Sequence, residues 1–161
     1  MERLALHYVG RYATTRAKLR GYLARKLRER GWSGSAAPPI ERLAERFEEL
    51  GYVDDAAFAE ARASSLQRRG FGARRIGQAL RAAGIEEEDR ERAQEQLEGG
   101  ALAAALRFAE RKRIGPYTVG EPDREARHKA FAAMMRAGHP LDIVRRVLAA
   151  GADDLPELDM D

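Results

Sequence analysis

The side chains of this sequence that could do chemistry are mostly cationic, and they lie in two stretches. The first, Arg11 to Arg30, holds eight Lys or Arg residues against the single acid Glu29, and the second, Arg62 to Arg81, holds six Arg residues and no acid. Cations at this density bind the phosphate backbone of nucleic acids or an acidic protein surface. The alternative is that they form only the solvated face of a scaffold helix, and the composition leaves both readings open.

Acidic side chains fill the segments that follow each basic stretch. Glu41 to Glu60 and Glu86 to Glu98 hold seven acids each, so the net charge of the chain is only +3. A helix-turn-helix reader inserts the helix after its turn into the major groove of DNA. The two acidic segments, Glu41 to Glu60 and Glu86 to Glu98, occupy that position after their basic stretches, and phosphate would repel them. Sequence-specific major-groove reading is therefore disfavoured.

Catalytic and metal-binding patterns are incomplete. His7, His128 and His139 stand apart without ligand spacing, and the Gly70-Phe71-Gly72 turn lacks the Lys and Ser/Thr of a phosphate-binding loop. The paired carboxylates Asp54 and Asp55 directly precede an apolar helical pattern. That position favours helix capping over acid–base or metal chemistry. We expect no enzyme, no cofactor and no bound metal.

The elements that position the cations repeat three times along the chain. Each unit contains apolar residues at four-residue spacing, then a glycine, then a bulky residue, and the glycines are Gly31, Gly84 and Gly138. Self-similarity at a nearly constant period predicts tandem repeats. We predict an all-α fold of three tandem three-helix repeats in an elongated, curved array, with the middle helices side by side so that their cations form one stripe.

The glycines and apolar patterns suggest boundaries for these repeats. We assign residues 1–51 to repeat one, 52–98 to repeat two and 99–150 to repeat three, followed by an acidic tail at 151–161 that we expect to be disordered. A long connection, Ile114 to Asp123, interrupts repeat three.

Several residues have predicted roles at helix ends and in the core. Thr14 or Thr15 should cap the second helix, and Gly31 should end it, with Trp32 folding back onto the last turn. Leu50 is assigned to the buried face of the third helix, and Asp54 and Asp55 to the cap of the fourth.

The composition also suggests where the protein resides. The sequence has no cysteine, its most apolar run, Ala101 to Leu106, is six residues long, and no secretory signal is visible at Met1 to Leu6. We therefore predict a soluble, cytoplasmic protein without a membrane segment, and we expect a monomer.

The central part of the chain combines three motifs: LGYVDDAAF at Leu50 to Phe58, RRGFGARRI at Arg68 to Ile76, and the pattern Leu80, Gly84, Ile85. These motifs give the chain a resemblance to the RecX family of recombinase regulators. It extends outward to Ala13 through Leu27 and to Arg136 through Leu148, and so covers nearly the whole chain.

The resemblance implies a bacterial regulator that binds the RecA filament on single-stranded DNA. Family members are understood to lodge in the helical groove of this filament, block its extension and promote its net disassembly. They thereby inhibit ATP hydrolysis, strand exchange and co-protease activity, and they have some affinity for DNA. The alternative function is a general basic helical module that binds single-stranded or duplex DNA without RecA.

The family signature also suggests contact residues for RecA or DNA. Its basic positions match Arg68, Arg69, Arg74 and Arg75, and Lys18, Arg25 and Lys26 occupy comparable places in the first repeat. The long connection and the acidic tail have no counterpart in the signature.

Overall fold

The computed structural model describes residues 1–151, and within that range every regular element is a helix and no strand is present. The predicted all-α class is thus confirmed. The helices are α1 (Glu2–Val9), α2 (Arg16–Arg30), α3 (Ile40–Glu49), α4 (Asp55–Arg68), α5 (Ala73–Ala82), α6 (Glu87–Glu95), α7 (Ala101–Lys112), α8 (Arg124–Arg136) and α9 (Leu141–Ala149). Short 3₁₀ turns lie at Glu98–Gly100 and Gly115–Tyr117. Of the predicted tail, residues 152–161 lie outside the described residues.

Three separate apolar cores underlie the repeats. Leu19 and Leu23 of α2 are fully buried with Phe47 of α3, while Ile76 and Leu80 of α5 belong to a second core. The third core is built from α7, α8 and α9. Burying one such aliphatic side chain contributes about 1.5–3 kcal/mol, so each triplet of helices has its own source of stability. The repeat architecture is confirmed, and the division at 51/52 and 98/99 stays a prediction.

The repeated glycine ends α5 and α8 in the same way. The N–H of Gly84 donates to the carbonyl of Arg81, and the N–H of Ile85 donates to that of Leu80. This pair of hydrogen bonds closes a helix on a left-handed residue, and Gly84 and Gly138 have φ of +77° and +91°. The following bulky residues, Ile85 and His139, are buried.

The first copy of this pattern departs from the prediction. Gly31 has the expected positive φ of +75°, but its N–H makes a single hydrogen bond to Leu27. Trp32 does not bury its ring on the last turn: it is 41% exposed, and its indole N–H donates to the carbonyl of Ala36 in the following loop. The ψ of 176° at Gly31 leads the chain away from the helix, which explains the difference.

Neighbouring repeats meet through their middle helices, end to end. At the junction of repeats two and three, the N–H groups of Gly72 and Arg74 donate to the carbonyls of Ala137 and Gly138, at 2.9 and 3.2 Å. The C-terminus of α8 thus abuts the N-terminus of α5. Carbonyls left free at one helix end meet N–H groups left free at the next, and the helix dipoles align.

The junction of repeats one and two uses side chains for the same purpose. Thr15, which caps α2 by accepting from the N–H of Lys18, donates its hydroxyl to the carbonyl of Ala83 at 2.7 Å. The buried carboxylate of Asp55 accepts from the N–H of Arg16 at 2.9 Å. The expectation that the middle helices lie side by side is therefore wrong, because the C-terminus of α5 meets the N-terminus of α2.

Two other sequence assignments need correction. Asp54 caps α4 as predicted, accepting from the N–H of Ala57 at 2.8 Å, but Asp55 serves the N-terminus of α2 in the neighbouring repeat. Leu50 is 56% exposed, because α3 ends at Glu49 and the chain turns through Gly51. The buried face of α3 is carried by Ala44 and Phe47.

Candidate functional site

The predicted cations of repeat one lie on the exposed side of α2. Lys18 is exposed, and its ammonium lies 4.6 Å from the ring centroid of Phe58 in α4, at the edge of the first junction. Arg25 and Lys26 follow two turns later, and both approach the ring of Tyr22, at 5.5 and 6.0 Å. These cations therefore have aromatic neighbours, which favours ordered positions for their charged groups.

An acid accompanies two of these cations. Lys26 contacts the Glu29 carboxylate at 2.6 Å, and Arg25 lies 3.7 Å from its other oxygen. The hydrogen bond from Lys26 is the main reason that the pKa of Glu29 lies below its ordinary value, and the charges of Lys26 and Arg25 act in the same direction. Glu29 therefore stays ionised and offsets part of the local positive charge. Lys18 has no ion pair with any described residue.

The predicted cations of repeat two gather around the turn between α4 and α5. Arg68 and Arg69 end α4 and are exposed, and the Arg69 guanidinium lies 5.6 Å from the Phe71 ring centroid. Arg74 and Arg75 lie in the first turn of α5 and are exposed as well. The turn thus places four guanidinium groups near the second junction.

Arg74 has a structural contact that the sequence did not reveal. Its guanidinium donates to the carbonyl of Met135, at the C-terminus of α8, beside the backbone bond to Gly138. It thereby adds a second donor to a carbonyl that already accepts from the N–H of Gly138, and so links α5 to the last turn of α8. Arg75 has no such partner among residues 1–151. The two neighbouring arginines consequently differ: a ligand could bind the Arg75 guanidinium without breaking a hydrogen bond of the junction, whereas Arg74 makes one.

The structure brings the seven predicted residues together as two groups. Lys18, at the N-terminus of α2, lies near the C-terminus of α5, whereas Arg74 and Arg75 lie at the N-terminus of α5. A helix rises 1.5 Å per residue, so the ten residues of α5 separate the two groups by about 15 Å. The cations form two surfaces spaced along the array.

Further cations, which sequence reasoning missed, lie beside Arg75. Arg111 and Lys112 at the end of α7 and Arg136 at the end of α8 line a groove with Arg75. We call this space, between α5, α7 and α8, the second-junction groove. The sequence does show a local run of cations at Arg111 to Arg113. Arg136 lies more than 20 residues later, and it comes near Arg111 and Lys112 because α8 packs against α7.

The histidines form no catalytic or metal-binding group. Among residues 1–151, no cluster of three or more His, Asp or Glu side chains is placed to hold a metal ion. His7 and His128 are exposed, while His139 is buried, with Nε2 3.1 Å from the carbonyl of Gly70. Burial lowers the pKa of His139, and the hydrogen bond to Gly70 opposes this only in part. His139 is therefore a neutral packing residue of the second junction.

Comparison with known proteins identifies the family. Residues 54–93 match the family model described as the second three-helix domain of RecX. The chain is 33% identical over 156 residues to the regulatory protein RecX of Myxococcus xanthus, an alignment that covers 92% of this chain and 83% of that protein. This chain belongs to the RecX family. A RecX protein of Agrobacterium fabrum is 30% identical over 158 residues, covering 96% of this chain and 84% of its own.

Solved RecX structures share the fold. RecX from Lactobacillus salivarius superposes with a TM-score of 0.67 at 18% identity, covering 91% of both chains. A second structure of regulatory protein RecX gives a TM-score of 0.66 at 21% identity, covering 88% of this chain and 68% of that one. The RecX relatives are named as regulatory proteins. In the described part of this RecX-family chain, no helix has the length and apolarity needed to cross a membrane.

Proposed function

We propose that this chain is a negative regulator of the RecA recombinase. It binds as a monomer in the groove of the RecA filament on single-stranded DNA, blocks filament extension, and thereby inhibits ATP hydrolysis, strand exchange and co-protease activity. Membership of the RecX family over nearly the whole chain carries this proposal. The end-to-end array supports it, because an extended chain with spaced cationic surfaces suits a helical groove lined by acidic protein and DNA.

The proposed contact residues lie on both cationic surfaces. They are Lys18, Arg25 and Lys26 on α2, and Arg68, Arg69, Arg74 and Arg75 around the turn between α4 and α5. All except Lys26 are exposed, and Lys26 keeps its ammonium at the surface beside Glu29. Within this set, Arg74 also donates to the carbonyl of Met135 across the second junction.

The test is RecA-catalysed ATP hydrolysis on single-stranded DNA. The wild-type chain should suppress hydrolysis at substoichiometric ratios, because one bound chain stops the growth of a whole filament end. The α2 variant K18Q/R25Q/K26Q should require severalfold more protein for the same inhibition. A control of equal charge change, R42Q/R46Q/R62Q, replaces exposed arginines outside the proposed contact set and should inhibit like the wild type.

The rival function, a DNA-binding module without RecA, predicts a different result. Such a module would shift single-stranded or duplex DNA on its own and would slow ATP hydrolysis only at concentrations that cover the DNA. An unchanged hydrolysis rate with excess wild-type chain would refute the proposed regulation. Arg74 should be left intact in these variants, since its loss would weaken the junction with α8.

A further inference from the structure

Each of the two repeat junctions borders an open surface space, and the two spaces differ in charge. In both, the residues just before a middle helix face the first helix of the next repeat. The second-junction groove has a volume of about 620 Å³, and its charged residues are Arg75, Arg111, Lys112 and Arg136, with no acid among them. The first-junction space, of about 450 Å³, has only Asp54 and Arg62 as charged residues. Since the first junction packs without such a cluster, the cluster as a whole is not a requirement of repeat packing.

Aromatic rings lie beside one of these cations, Arg111, and beside the neighbouring Arg69. The Arg111 guanidinium lies 5.6 Å from the ring centroid of Phe108, and Arg69 lies at the same distance from Phe71. Arg111 also donates to the carbonyl of Arg69, which ties α7 to the end of α4. The guanidinium groups are thus preorganised beside a groove in which the Phe71 ring is only half-buried.

We propose that the second-junction groove binds single-stranded nucleic acid. Guanidinium groups from three helices supply phosphate contacts, for which arginine is suited by its paired donors. The Phe71 ring, half-buried beside the Arg69 guanidinium, leaves part of its surface for contact with an unpaired base. Cations together with aromatic rings are the combination by which proteins bind single strands without regard to sequence. An acidic peptide would use the cations but not the ring. The inference deepens the proposed function by assigning its nucleic-acid contact to one groove.

The experiment measures anisotropy of a fluorescein-labelled oligothymidylate of about 20 nucleotides, titrated with the full chain. The groove variant R75Q/K112Q/R136Q leaves Arg111 and Arg74 in place, because both donate to backbone carbonyls. It should lose affinity by at least about tenfold, and the slope of log K against log salt should fall by about 2 for three lost contacts. The matched control R42Q/R46Q/R62Q removes the same charge elsewhere and should stay within about twofold of wild type. Circular dichroism verifies that all three proteins are folded.

Two results would overturn the inference. One is an equal loss of affinity in the groove variant and the matched control, which would mean that only net charge matters. The other is displacement of the oligothymidylate by oligoglutamate at equal charge concentration, which would assign the groove to an acidic protein. The ATP hydrolysis assay separates this inference from the proposed function. If the oligothymidylate binds through the groove but the wild-type chain does not inhibit RecA, the groove is supported and the proposed regulation is refuted. If the wild-type chain inhibits RecA but the groove variant binds the oligothymidylate as the wild type does, the regulation is supported and the groove is refuted.

Discussion

At the scale of single residues, His139 shows how a repeat position acquires a second role. It occupies the place of Ile85 in the preceding repeat, after the terminating glycine, and is buried to the same degree. A carbonyl only accepts, so Nε2 must carry the proton that bonds to Gly70, which leaves Nδ1 unprotonated. Nδ1 has no hydrogen-bond partner among the described residues. Protonating it would bury an unpaired N–H and a charge beside the Phe108 ring.

The lowered pKa of His139 predicts a loss of stability in mild acid. Between the folded and the unfolded pKa, the unfolded chain binds more protons, so the free energy of unfolding falls as pH falls below about 6.5. His139→Gln removes the titration while its amide can still donate to Gly70. We expect the urea midpoint of wild type to drop more than that of the variant between about pH 7.5 and 5. Parallel pH profiles for the two proteins would contradict this assignment.

At the scale of elements, the glycine after α8 has two roles that can be separated. It provides the left-handed turn that ends the helix, and it lets the backbone of α5 approach. A Cβ at Gly138 would lie 2.3 Å from the backbone nitrogen of Arg75. Gly51 ends α3 with the same pair of hydrogen bonds and a φ of +73°, but a Cβ there would meet nothing within 4 Å. Gly51 therefore isolates the conformational role.

The two alanine variants should differ in stability. Gly51→Ala should lower the free energy of unfolding by about 1–2 kcal/mol, because alanine is strained in a left-handed backbone. Gly138→Ala has the same strain and also forces α5 and α8 apart, which should lower the free energy of unfolding by about 1–3 kcal/mol more, as overpacking usually does. Chemical denaturation of both variants beside wild type measures the difference. Equal losses in the two proteins would show that the junction yields without cost and that Gly138 serves only to end α8.

Helix ends also show which parts of the structure the sequence could predict. The ladder of Leu19 and Leu23 and the positive φ of Gly84 follow from local spacing and backbone sterics, and the structure confirms them. The direction of Trp32 could not be predicted, because it depends on the ψ of one glycine. The bond from Thr15 to Ala83 joins residues 68 positions apart and exists only once the repeats have packed.

At the scale of the whole molecule, the same limit applies to the cations. Charge counts along the sequence locate the basic stretches of α2 and of the turn between α4 and α5, but not how those stretches meet. End-to-end packing divides them into two surfaces, and it gathers Arg75 with Arg111 and Arg136 into one groove. Local patterns therefore predict which residues are charged, whereas the junctions determine which charges a ligand would meet together.

An array whose repeats are joined at such junctions should unfold in parts. Each triplet of helices has its own core, so a weakened junction lowers the protection of the repeats beside it more than that of distant ones. In Gly138→Ala, we expect amide hydrogen exchange to accelerate in α5 and in α7 through α9, while α1 and α3 exchange nearly as in wild type. Mass spectrometry of peptic fragments resolves these regions, and Gly51→Ala is the reference for a change confined to one helix end. A uniform acceleration from α1 to α9 would contradict this expectation, since it would mean that the chain opens as one cooperative unit.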